Sequence, residues 1–475
     1  MTVLKNFLWN ISYQVLLLIL PIITIPYVSR VLGPAGIGIN SYTNSIVQYF
    51  ILFGNLGITL YGNREVAYRR DKKEQLSQIF WELSILRFLL TFISASFFMI
   101  MIYFSGQYKP FYIIQSILLV ASALDIAWFF QGLELFRVTV VRSTLVKIVS
   151  LILIFIFVRQ KNDLGTYIFI LAFSQLLGNL TLWPYLKKYV VFPDFKRLNL
   201  GRHVKPTVTL FVPQVATQVY LQLNKTMLGA IVGVTAAGFY DNSDKIVKII
   251  LALVTASGTV LLPHVAHDYS QGNLKKISNS VYSSIHVIMV LAMPLAAGLI
   301  AIAPLFTQIF FGPGFLPVAT LMRIEAPVMI MVGIGTAIGV QFLLPTNQVK
   351  IYSTSYVLGA ILNILLNIPL IWFLGSTGAM IATVLSETFV SLFQLFHVRH
   401  QLSIKSLFFE NQKYLLASFG MGIFVSSFIK FTSFGPIVTL ILSVISGVIS
   451  YMFFLLLLKP RVILGMISKF WASRT

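Results

Sequence analysis

The chain has 475 residues, 57% of them hydrophobic and only 10% charged, with a mean hydropathy of +0.87. That exceeds what a soluble domain can bury and marks a polytopic membrane protein. Cysteine is absent, which excludes disulfides, thiolate catalysis and thiolate-bound metal.

A membrane span needs roughly 20 mostly apolar residues. The first run, Phe7 to Arg30, is too long for a signal-peptide core and reads as a retained span. Further runs centre near Phe50, Leu90, Val120, Leu151 and Leu171, then, past a basic stretch, near Leu221, Leu251, Leu291, Ile330, Ile361 and Val384. Two more, near Phe424 and Ser446, close the chain. The expected architecture is all-α and polytopic, with about 14 transmembrane helices. With the N-terminus in the cytoplasm, the outer loops hold only Arg30, Lys109, Arg159, Lys161 and Lys430, and most other Lys and Arg fall inside. Both termini are therefore expected in the cytoplasm. The same asymmetry accounts for most of the net charge of +21 without a nucleic-acid partner.

Between the fourth and fifth runs lies DIAWFFQGLELFRVTVVR, residues 125–142. Asp125, Glu134, Arg137 and Arg142 alternate there with Trp128, Phe129, Phe130 and Phe136. Charges so close to hydrocarbon are costly unless they pair, snorkel or face water. The rings are expected to anchor the chain at the membrane interface, and the arginines can meet an anionic headgroup.

An internal repeat sets GPAGIGINSYTNSIVQY at 33–49 over GVTAAGFYDNSDKIVKI at 233–249, matching Gly33 with Gly233 and Gly38 with Gly238. A weaker match sets RSTLVKIVSLILIF, from Arg142, against YSTSYVLGAILNIL, from Tyr352. Two parallel-repeat six-helix bundles are expected, 1–190 and 206–402, joined by a basic cytoplasmic linker at 191–205, with two extra helices and a tail at 403–475. Repeats of this kind are a transporter architecture with the substrate site between the halves.

DIAWFFQGLELFRVTVVR resembles the signature at the fourth span of polysaccharide-unit flippases of the multidrug/oligosaccharidyl-lipid/polysaccharide exporter superfamily. YGNREVA at 61–67, NKTMLGAIVGVTAAGFYDNSDKI at 224–246, the run from 344 to 371 and GAMIATVLSE ending at Glu387 resemble the same family, in its order. The resemblance implies a central cationic cavity and outward movement, by alternating access, of an undecaprenyl-diphosphate-linked oligosaccharide across a bacterial cytoplasmic membrane. It implies membrane lipids as surroundings and a polysaccharide polymerase and other assembly proteins as partners.

Such a substrate needs fixed cations, since Arg holds phosphate oxygens in a bidentate fork and Lys acts as a point charge. The candidates at membrane depth are Arg87, Arg142, Lys147, Lys225, Lys245, Lys248 and Arg323. Snorkelling or structural pairing is the alternative for each. Glu82 with Arg87 and Glu325 with Arg323 are expected to neutralise one another locally. Asp125 and Glu387 have no base within one turn in sequence, so each either reaches another helix, titrates or binds a cation. With Asp241, they are the candidates for coupling to H⁺ or Na⁺; no other cofactor is expected. His264, His267 and His286 read as boundary or capping residues.

Related multidrug extruders resemble one another in carrying an acid in the first or seventh span. Here neither has one, and the seventh carries Lys225, which favours an anionic substrate. A peptidoglycan lipid-precursor flippase shares that chemistry and stays open, as does, at greater distance, an ion-coupled multidrug extruder. A polymerase or glycosyltransferase would need a long outer loop, and the outer connections are short. No Gly-Lys dipeptide occurs, so no P-loop does.

Overall fold

The computed structural model describes residues 2–460 except 193–195, 197 and 272; at 2–15, 17, 212–214, 216–217, 220, 256–270 and 274–275 it describes the backbone alone. Among the described residues the chain is helical, with no strand. Within the described residues, eleven helical stretches are long and apolar enough to cross a membrane, one of them, Leu18–Arg69, holding two of the expected runs. Two expected spans are not among them: α8 (Gly201–Ile231) carries Gln222, Asn224 and Lys225, and the apolar second half of α9 (Val234–Ser270) lies largely outside the residues whose side chains are described. At 1.5 Å per residue both are still longer than the roughly 30 Å of a hydrocarbon core.

The chain forms two compact units, Met1–Gly238 and Phe239–Thr475. The first holds α1 (Thr2–Asn55), α2 (Ile58–Arg69), α3 (Lys73–Tyr103), α4 (Lys109–Ala123), α5 (Ala127–Gly132), α6 (Phe136–Phe157), α7 (Leu164–Leu180) and α8. Helix α1 breaks at Gly33, whose φ of 70° favours glycine, just before Pro34, which has no N–H to give. Gly233, its partner in the repeat, also has a positive φ, 126°, between α8 and α9. The other matched pair is in contact. A Cβ on Gly238 would stand 2.8 Å from the Cα of Gly38, and one on Gly38 would stand 2.1 Å from the carbonyl oxygen of Val234. Small residues permit this backbone approach, which membrane helices use for packing. The expected linker at 191–205 follows the change of charge along the chain, whereas packing ties α8 to α1: Thr226 lies 2.9 Å from the Ser45 hydroxyl and 3.2 Å from that of Tyr49.

Trp128, Phe129 and Phe130 depart from expectation. They are not interface anchors; they are fully buried with Phe80, Leu83, Ile58 and Tyr61 in a core that α5 completes against α2 and α3. Burying three such rings yields more than leaving them half-wet at an interface.

The second unit is built on α10 (Leu274–Phe310), against which α11 (Leu316–Glu325), α12 (Val328–Ile338), α16 (Asn411–Phe431) and α17 (Pro436–Leu458) pack. Helices α13 (Val349–Leu374) and α14 (Ser376–Val398) pair closely, and α15 (Ile404–Leu407) is one turn. The two C-terminal helices are fixed to α10 partly by the Tyr451 hydroxyl, which donates to the Val290 carbonyl at 2.9 Å.

Candidate functional site in the first unit

The last carbonyls of any helix lack intrahelical donors, and inside a membrane bundle other side chains must supply them. Helix α4 ends at Ala123, and three elements converge on its end. Asn179 of α7 donates to the Ala121 carbonyl at 2.6 Å, and Trp183 donates to that of Leu124 at 3.0 Å. Arg87 of α3 donates to that of Asp125 at 2.7 Å and stands 3.9 Å from its carboxylate, with only 4% of its side chain exposed. A guanidinium here also faces the negative end of the helix dipole. The carboxylate accepts the Ala127 N–H at 2.9 Å, which starts α5. Asp125 thus joins the end of one helix to the beginning of the next.

Beside this junction lies a polar cavity of about 480 Å³. Asp125 and Gln131 line one side, Thr139, Arg142, Ser143 and Lys147 of α6 another, and Gln175 and Asn179 of α7 a third. Arg142 donates to the side-chain oxygen of Asn179 at 3.2 Å. Gly178 makes this possible, since a Cβ there would lie 2.8 Å from Val146 and 3.3 Å from the Arg142 guanidinium. Two cations, one acid and several neutral donors thus meet, with Phe136, Val140 and Val146 beside them, in one half-open cavity that can hold an anionic, hydroxyl-rich group.

Of the candidate residues, the structure brings Asp125, Arg142 and Lys147 together there, with Arg87 behind Asp125. Lys225, half-buried, lies on α8. In the second unit Lys245 pairs with Asp241 at 2.5 Å and Lys248 with Asp244 at 2.7 Å, both along α9. Arg323 of α11 donates to the Ile300 carbonyl at 3.0 Å, and Glu387, half-buried on α14, lies near Tyr356. The two expected local neutralisations do not form. Glu325 accepts from Ser243 at 2.8 Å, while Glu82 is bound by Arg202 and by His203 at 2.8 Å and accepts the Asn199 N–H at 2.8 Å. The reason is helical geometry: residues two or five apart do not share a face, whereas those three or four apart do. His286 is buried edge-on against Tyr414, and the side chains of His264 and His267 lie outside the described residues. Charge alone did not single out Gln131, Gln175 and Asn179. The signal was present in Gln175 and Asn179, two amides one turn apart inside an otherwise apolar run.

Residues 3–267 match the profile of a family described as polysaccharide biosynthesis protein. The chain belongs to that family. The chain is 27% identical over 381 residues to a protein described as an O-antigen transporter of Shigella dysenteriae, covering 79% of this chain and 94% of the relative. It is 24% identical over 387 residues to one of the same description in Escherichia coli strain K12, covering 80% and 93%. Its fold is that of lipid II flippase MurJ in an inward closed conformation, with a TM-score of 0.73 at 16% identity over 94% of this chain and 98% of the other. An inward-facing MATE family transporter of the MOP superfamily follows at 0.64, with 12% identity over 81% and 94%. The chain is thus a multi-pass membrane protein with the fold that these transporters share.

Proposed function

We propose that this protein is a flippase that moves a polyprenyl-diphosphate-linked oligosaccharide repeat unit from the inner to the outer leaflet of a bacterial cytoplasmic membrane, by alternating access, for cell-surface polysaccharide synthesis. Its similarity to proteins described as O-antigen transporters, over 79% and 80% of this chain, supports this. The observation that carries the reading is the first-unit cavity, where Arg142 and Lys147 stand among neutral hydrogen-bonding groups. Arg142 would grip the diphosphate and Lys147 would add charge, while Gln131, Ser143 and Gln175 would meet sugar hydroxyls. Lys225 on α8 and Lys245, Lys248 and Arg323 in the second unit would act at other stages of the cycle. Arg87, bound to Asp125, positions the cavity wall. Glu387 and Asp241, with Asp125, remain the candidates for H⁺ or Na⁺ coupling. Both termini would be cytoplasmic, with bundles at 1–190 and 206–402, a linker at 191–205 and appended helices at 403–475. A polymerase would consume the product outside.

Complementation of a strain lacking its own repeat-unit flippase tests this. Arg142→Ala and Lys147→Ala should each abolish surface polysaccharide at unchanged protein level, and Lys225→Ala should do so with partial recovery in Lys225→Arg. Wild-type export by Arg142→Ala with Lys147→Ala combined overturns the cavity's role. A peptidoglycan lipid-precursor flippase is the second reading, supported by 28% identity over 144 residues to lipid II flippase MurJ of Bacillus subtilis. Rescue of a strain depleted of that activity, without rescue of polysaccharide export, would favour it.

A further inference from the structure

Arg142 belongs to two recesses. Besides the polar cavity it lines a groove of about 540 Å³ on the other side of α6, walled by Val138, Val141, Leu145, Val146 and Tyr185 with Arg137 at one end. Val146 is likewise common to both. The two spaces contrast in chemistry: amides, hydroxyls and Lys147 on one side, aliphatic side chains on the other. The groove is open, with Leu145 57% and Tyr185 49% exposed. Its wall residues on α6 recur at Arg137, Val138, Val141, Arg142 and Leu145, one helical face, and Thr181 and Tyr185 close it from the end of α7.

We propose that this groove holds the first isoprene units of the lipid carrier while the diphosphate sits at Arg142 and the glycan occupies the cavity, so that α6 is the post around which the amphiphile is held. The proposal rests on the reading of the cavity as a diphosphate-glycan site. Three observations choose the occupant. The α6 wall of the groove is apolar at Val138, Val141, Leu145 and Val146, as a hydrocarbon chain requires. It is cationic at Arg137 and Arg142, as an anionic headgroup requires. It shares a guanidinium and Val146 with a polar enclosure, so one ligand with an apolar tail, an anionic joint and a polar head meets all three surfaces at once. An ordinary phospholipid would satisfy the first two and leave the cavity empty.

The test places the photoreactive residue p-benzoylphenylalanine at Leu145 in the groove, at Ser143 in the cavity and at Phe169, an exposed position on α7 outside both, in the full chain in membranes. The membranes contain polyprenyl-diphosphate-linked glycan radiolabelled in the sugar, or radiolabelled phosphatidylglycerol. The expected result is capture of the labelled glycan lipid at Leu145 at least about tenfold above Phe169, a ratio equal to burying roughly two further methylene groups, and capture at Ser143 as well. Capture at Ser143 with Leu145 no higher than Phe169 overturns the groove and keeps the cavity. Equal capture of phosphatidylglycerol and carrier at Leu145 also overturns it, leaving a site for any membrane lipid. Capture at Leu145 with none at Ser143 overturns the cavity reading and with it the arrangement around α6, leaving a lipid site alone, and silence at both overturns both. If the Leu145 variant does not accumulate, the same probe at the exposed Val141 reads the same groove.

Discussion

Arg87 and Asp125 are joined through the backbone more firmly than through their charges. The guanidinium donates to the Asp125 carbonyl at 2.7 Å and stands 3.9 Å from the carboxylate, which itself accepts the Ala127 N–H. Removing the arginine strands the Asp125 carbonyl and takes the cation from a carboxylate that is 31% exposed, a loss of about 1–3 kcal/mol, mostly for the unmade hydrogen bond. Arg87→Ala should therefore lower the thermal unfolding temperature in detergent and reduce accumulation. Asp125→Asn keeps the carbonyl and the acceptor for Ala127 and should be far milder. If Asp125→Asn is stable and transports at the wild-type rate with unchanged response to ionophores, Asp125 has no part in coupling; the same measurement on Glu387→Gln tests the other acid.

Asn179 serves three partners at once, donating its amide hydrogen to the Ala121 carbonyl and accepting at its oxygen from Arg142 and, at 3.4 Å, from Gln175. Asn179→Leu should cost about 1–3 kcal/mol for the unmade bond to a buried carbonyl and should also weaken substrate binding, because Arg142 loses its acceptor. Asn179→Asp retains an oxygen for Arg142 but adds a negative charge beside it, so binding of the anionic headgroup should fall further than in Asn179→Leu. Binding of the labelled glycan lipid and unfolding temperature, measured on the same preparations, separate the two effects.

Glu82, fully buried, fastens the segment leading into α8 onto α3 through Arg202, His203 and Asn199. Glu82→Ala leaves these donors without their shared acceptor and should free the connection. Trypsin should then cut between 187 and 202 several times faster than in wild type. An unchanged cleavage rate would mean that other contacts, such as Ser77 to the Val191 N–H at 3.0 Å, hold the segment alone.

The chain lacks cysteine, and Asn199 and Ser403 are both exposed. Asn199→Cys and Ser403→Cys should both react with a membrane-impermeant maleimide from the cytoplasmic side only. Reaction of either in intact cells would reverse the proposed orientation.

Some of this was determined by sequence alone. Membrane character and the run of spans follow from hydropathy, because twenty apolar residues have few other places to go. The importance of four glycines was legible as well: Gly33 and Gly233 mark chain breaks with positive φ, and Gly38 meets Gly238 where no side chain fits. What a charge or ring is for was decided only by tertiary structure. Trp128, Phe129 and Phe130 look the same in sequence whether they face lipid or protein, and only the packing of α5 on α2 and α3 buries them. Glu82 and Arg87 are near neighbours in the chain, yet point along different helical faces to Arg202 and Asp125, more than thirty residues away. Hydropathy depends on composition within a window, whereas an ion pair inside a membrane bundle depends on which helices meet and at what height. That information belongs to the fold, and it is what places Arg142, Lys147, Gln175 and Asn179 around one cavity.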